Sequence, residues 1–134
     1  MIKSIEEEFV KKFIVKEKRN RIISELFNSN KRFDAMTRFS HSVIDILNQN
    51  LIISNNANIT VEGVIDIIKQ QGITKSKAYV ITDNINGEMI NVQEGLNECF
   101  KSLGPAIFIM DNFCLIKEEF EYKSPLKYIL CKSI

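Results

Sequence analysis

Residues 78–116 read AYVITDNINGEMINVQEGLNECFKSLGPAIFIMDNFCLI, and their pattern decides the fold. Ala78 to Thr82 is a short run with apolar residues on both faces, as in a strand covered from two sides. Asn84 to Gly87 is turn chemistry. Asn91-Val-Gln-Glu94 has the spacing of a capping box, with Asn in place of Ser or Thr. Behind it Val92, Leu96, Cys99, Phe100 and Leu103 form the most regular amphipathic stripe in the chain, which places Phe100 in the core. Gly104-Pro105 ends that helix. Ala106 to Met110 and Phe113 to Ile116 are two more strands, with Asp111-Asn112 as a tight hairpin between them. A strand, a helix and a strand in that order predict a right-handed parallel crossover. Ala78 to Thr82 and Ala106 to Met110 are then adjacent, parallel and buried.

Working outward, Phe120 and Tyr122 extend the hairpin's second strand, Lys123-Ser124-Pro125 turns the chain, and Leu126 to Cys131 is a last strand. On the other side, Thr60 caps a helix with Val61, Val64, Ile65 and Ile68 on one face. Gly72 suits its left-handed C-cap, with Ile73 packing back. Asn55-Asn56-Ala57-Asn58 reads as a loop. The first fifty residues are helical in period. Ser4 caps a helix with Glu6, Glu7 and Glu8 in its first turn, and Ile5, Phe9 and Phe13 recur every four residues. A second stretch holds Ile22, Ile23, Leu26 and Phe27, out of register with the first across Val15 to Lys18. After the polar break Asn28-Ser29-Asn30, a third holds Phe33, Met36, Val43, Ile44 and Leu47. The expected architecture is a single α+β domain over 1–134. Residues 1–50 form a layer of about three helices. Residues 51–134 carry a helix and a mixed sheet of about four strands, in the order strand-helix-strand-strand-strand.

A chain of 134 residues, 45% hydrophobic and 26% charged, has the composition of a soluble globular protein that needs no disulfide or metal to build a core. No apolar run approaches a membrane span, and the N-terminus lacks an apolar signal core. Cys99, Cys114 and Cys131 are widely spaced, odd in number and set among apolar neighbours, and His41 is the sole histidine. That argues against a disulfide framework and a zinc site, and for thiols packed as small hydrophobes in a reducing cytoplasm. The abundance of Ile, Asn and Lys suggests an AT-rich, bacterial source.

Charge is the strongest functional signal. Lys11, Lys12, Lys16, Lys18, Arg19, Arg21, Lys31, Arg32 and Arg38 stand against Glu17, Glu25 and Asp34, a local +6 in a protein of net charge +1. Such a field attracts an anionic partner. Phe9, Phe13, Phe27, Phe33 and Phe39 interleave with these charges, yet at helical spacing they belong to a core rather than a base-stacking platform. With no recognisable nucleic-acid module and a pI of about 7.7, nucleic-acid binding ranks second.

Catalytic readings are weaker. Asp34, Arg38, His41 and Asp45 stack at spacings of four, three and four, so His41 flanked by carboxylates is a candidate general base for a small hydrolase. Ser40 and Ser42 point elsewhere on the helix. Asp111 with Glu121-Tyr122-Lys123 resembles the acid arrangement of a metal-dependent nuclease in composition alone. If Asp111 is at a hairpin tip, Glu121 lies roughly 25–30 Å away at about 3.3 Å per residue. No phosphate-binding glycine loop is present. The expectation is therefore a small non-enzymatic binding protein, without cofactor or metal, presenting its basic helical layer to an acidic partner protein. An immunity or antitoxin-type inhibitor is one such class.

Overall fold

Helical and strand-like periods in the sequence translate into one helix–sheet–helix sandwich. The computed structural model describes residues 2–41, 43–56, 58–118 and 127–133. Its helices are α1 (Ile2–Phe13), α2 (Lys16–Leu26), α3 (Arg32–His41), α4 (Val43–Ile46), α5 (Val61–Gln70) and α6 (Val92–Lys101), with a single 3-10 turn at Gln49–Leu51. Its strands are β1 (Ile52–Asn56), β2 (Lys77–Ile81), β3 (Asn86–Asn91), β4 (Ile107–Met110), β5 (Phe113–Glu118) and β6 (Lys127–Lys132). Among the described residues they form one six-stranded sheet in the order β1-β6-β5-β4-β2-β3, every pair antiparallel.

The α+β class holds, while the strand number and pairing sense differ from expectation. β2 and β4 are adjacent and buried, but antiparallel, with Tyr79 opposite Ile109 and Ile81 opposite Ile107. The reason is β3. Residues 86–91 form a polar edge strand that turns back on β2, so the chain leaves β3 in the opposite direction before α6 and re-enters the sheet reversed. β1 is the second unexpected strand. It takes in part of the asparagine run read as a loop and pairs with β6, Ile52 opposite Cys131. Ser42, Ala57, Glu121-Tyr122-Lys123 and the expected turn at Lys123-Ser124-Pro125 lie outside the described residues.

Period-two alternation divides the core. Tyr79, Ile81, Ile107, Ile109, Cys114, Ile116, Ile129 and Cys131 face the N-terminal helices, where Phe9, Val10, Phe13, Met36, Phe39 and Leu47 are buried. Ala78, Val80, Phe108, Phe113, Leu115 and Leu130 face α5 and α6. Both faces being covered makes the middle of the central strands apolar on both sides, as in residues 107–110 and 113–116. Thr60 and Asn91 cap α5 and α6 as expected, accepting from Gly63 N at 3.1 Å and Gln93 N at 2.9 Å. Gly72 has φ +75°, and Ile73 N bonds back to Ile68 O at 3.3 Å. The hairpin tip is two residues, Asp111-Asn112, between the paired Met110 and Phe113.

Several positions depart from the periodic reading. α1 is already helical at Ile2, so Glu6 to Glu8 lie beyond its first turn. The stripe of α6 stops early: the helix ends at Lys101 and Leu103 is 92% exposed. Phe100 is only partly buried, stacked on Tyr128 at 4.1 Å. Phe33 is 58% exposed rather than core. Between α1 and α2 the helix breaks at Ile14-Val15, where Val15 N bonds Ile46 O at 2.8 Å and Asn48 N bonds Phe13 O at 2.8 Å. The two apolar stripes are out of register because they belong to two helices.

Candidate functional site

Expected to present a basic helical surface, the cationic residues from Lys11 to Arg38 are distributed unequally. Arg32 is the clearest exception. Its side chain is 16% exposed and forms a bidentate pair with Glu6, Nη1 to Oε1 at 2.6 Å and Nη2 to Oε2 at 2.7 Å. It also donates to Leu26 O at 2.9 Å and Asn86 Oδ1 at 2.7 Å. Glu6 is fully buried, and the Tyr79 hydroxyl donates to its Oε2. Glu6 thus joins α1 to α3 through Arg32 and to the sheet through Tyr79. The hydrogen bond to Glu6 raises the Arg32 pKa, and burial followed by the Glu6 bond raises that of Tyr79. Arg32 is a structural cation, not a surface one.

Other cations of the stretch meet carboxylates at the surface. Lys11 pairs with Glu7 at 3.8 Å and Lys12 with Glu8 at 3.9 Å. Arg21 and Arg38 share Glu25, at 3.6 Å for Arg21 and in closer contact for Arg38. Half-buried Arg19 donates from Nε to Ile14 O at 2.9 Å, closing the α1–α2 break. Lys16, Lys18 and Lys31 are exposed and have no ion pair among the described residues. Two of these three, Lys16 and Lys18, lie in the first turn of α2 on either side of the exposed Glu17, and α2 buries only Leu26 fully. Lys18, Arg21, Glu25, Arg38 and Asp45 line a groove of about 240 Å3 there.

The histidine line does not assemble into a pocket. His41, Asp34 and Asp45 are all exposed, and the His41 ring has no hydrogen-bond or ion-pair partner among the described residues. Arg38 and Asp45 line the α2 groove, whereas His41 and Asp34 do not. Asp111 sits at the hairpin tip with φ +52° and pairs with Lys75 at 2.6 Å. Among the described residues no cluster of three or more His, Cys, Asp or Glu could hold a metal ion, and no helix is long and apolar enough to cross a membrane.

All three thiols are buried. Burial, then nearby Glu98, pushes Cys99 up to about 12. Cys114 and Cys131 are cross-strand partners, and burial followed by the side-chain hydrogen bond between the two thiols raises Cys114. Lys117 is buried too, its ammonium donating to the carbonyls of Ser102 and Gly104 beyond the C-terminal end of α6. Helix C-termini present unpaired carbonyls, and a cation there is favourable.

Glu6 was legible in principle. It stands three, four and seven residues before Phe9, Val10 and Phe13, in phase with the buried face of α1. Compared with known proteins, the chain matches no family model, no curated protein and no solved structure.

Proposed function

We propose that this chain is a small bacterial, cytoplasmic binding protein without catalytic activity, and that it presents the outer face of α2 to an acidic partner protein. One observation carries the reading: α2 is charged against its own dipole. Its first turn holds Lys16, Lys18 and Arg19 against Glu17 alone, and its N-cap, Val15, offers no side-chain bond. A cation at a helix N-terminus costs about 0.3–1 kcal/mol, and a poor N-cap about 1 kcal/mol. Arg19 recovers part of this through Ile14 O. Lys16 and Lys18 have no such return among the described residues. Local rules broken without internal compensation mark functional surfaces. An acidic partner supplies the missing countercharge, and an inhibitor of the immunity or antitoxin type is one class that fits.

The test is a triple charge reversal, Lys16→Glu/Lys18→Glu/Arg21→Glu, which spares the structural Arg19 and Arg32. The expected result is a stoichiometric complex with an acidic protein that the wild-type chain forms and the variant loses, with no loss of thermal stability, since Glu at positions 16 and 18 suits the helix dipole better than Lys does. A complex retained by the variant overturns the reading. So does wild-type binding to mixed-sequence oligonucleotides that falls steeply with salt, which would move the chain to the nucleic-acid class.

A further inference from the structure

A second cleft lies away from the α2 face, between α1 and the sheet, with a volume of about 280 Å3. That is near the lower bound of about 300–1,000 Å3 for small-ligand pockets. Its floor is apolar: Phe9 and Phe13 from α1, Ile109 from β4, and Met89 from β3. Met89 is 50% exposed although it stands opposite the buried Tyr79 in the middle of a strand pair. Its rim at one end is cationic. Lys12 donates to Asn112 Oδ1 at 3.1 Å, and Lys75 pairs with Asp111 at 2.6 Å, so adjacent residues of one hairpin tip hold both ammoniums. Extending the register Tyr79↔Ile109 by two residues brings Lys77 level with Asp111. Lys77 shares the face of Tyr79, lines the cleft and is exposed, and it has no ion pair among the described residues. Three lysines therefore converge against Asp111 and Glu8, leaving one positive charge in excess beside an apolar floor.

We propose that this cleft binds a small amphipathic anion: a carboxylate held by Lys77 with Lys12 and Lys75, and an aliphatic or aromatic body laid over Met89, Ile109 and the α1 phenylalanines. A polar group that fixes orientation at the end of an apolar trough is the ordinary division of labour in small-ligand sites. The site does not depend on the α2 surface, so either can fail without the other.

The experiment is calorimetric titration of the full chain with decanoate, and with decanol as the uncharged control. The expected result is one decanoate per chain, weakened by salt, with decanol binding about two- to fivefold more weakly. Lys77→Glu should weaken decanoate about tenfold by replacing attraction with repulsion. Met89→Glu, at a half-exposed position, should abolish binding by placing a carboxylate in the apolar floor. Both variants should keep the wild-type circular dichroism spectrum and unfolding midpoint. No decanoate binding, equal binding of decanol, or binding that neither substitution changes would each overturn the proposal.

Discussion

Replacing Glu6 by alanine tests the junction on which the helical layer depends. The substitution removes the acceptor of two charge-assisted bonds from Arg32 and one from Tyr79. Bonds to charged groups contribute about 1.5–3 kcal/mol each, and they do not add fully within one network. Arg32 stays 16% exposed, with only Leu26 O and Asn86 Oδ1 to satisfy it, and the Tyr79 hydroxyl loses its acceptor. Removing one partner of a buried pair costs about 3–5 kcal/mol, most of it the stranded charge. That is a large share of the roughly 5–15 kcal/mol that holds a domain together. Urea unfolding followed by circular dichroism should show the loss as a lower midpoint at unchanged slope. The double variant Glu6→Ala/Arg32→Met should be more stable than the sum of the two single losses implies, because no charge is left buried. An unchanged Glu6→Ala midpoint, or strictly additive losses, would refute the account of Glu6 as the shared acceptor.

Stability should fall at alkaline pH. Cys99 is pushed up to about 12 from an ordinary value of 9.0, and Cys114, Tyr79 and Tyr128 are also raised. The folded chain thus keeps protons that the unfolded chain releases, so the stabilisation is complete below about pH 9 and is lost as pH rises toward about 12; a urea midpoint that stays flat from about pH 8 to about pH 11 would contradict this. Gly87→Ala should cost about 3 kcal/mol or more, read from the same midpoint, because φ is +88° and the new Cβ would stand 2.1 Å from the Tyr79 hydroxyl. Wild-type stability in that variant would show that the turn can move away from the Glu6 junction. Phe100→Ala should cost about 2 kcal/mol, short of the roughly 3–5 kcal/mol of a fully buried phenylalanine, since the ring is partly exposed and its chief loss is the stack on Tyr128; a loss of 5 kcal/mol would place it in the core after all.

The strongly apolar strands β2, β4, β5 and β6 and the helices α5 and α6, with their caps, were legible because burial on both faces and helical period both leave long signatures. β1 and β3 were not, for one reason. Each is an edge strand with a single neighbour, so its sequence, Ile-Ile-Ser-Asn-Asn or Asn-Gly-Glu-Met-Ile-Asn, carries little apolar demand. Overlooking β3 was enough to reverse the inferred direction of β4. In the basic stretch, charge could be counted from the sequence but its neutralisation could not. Arg32 and Glu6 meet across 26 residues, and Glu6 and Tyr79 across 73. Lys75 and Lys77 drew no notice because their common focus, the Asp111-Asn112 tip, is built by a distant hairpin.

The sheet order has a temporal consequence. β1 pairs with β6 alone, and the α1–α4 layer rests on β2, β4, β5 and β6. On a ribosome adding about 5–20 residues per second, the 73 residues between Glu6 and Tyr79 take roughly 4–15 s to appear. Through that interval the N-terminal helices carry apolar stripes with no surface to cover them. The strands β4, β5 and β6 that complete this face are made later still, so the helical layer cannot close until nearly the whole chain has been synthesised.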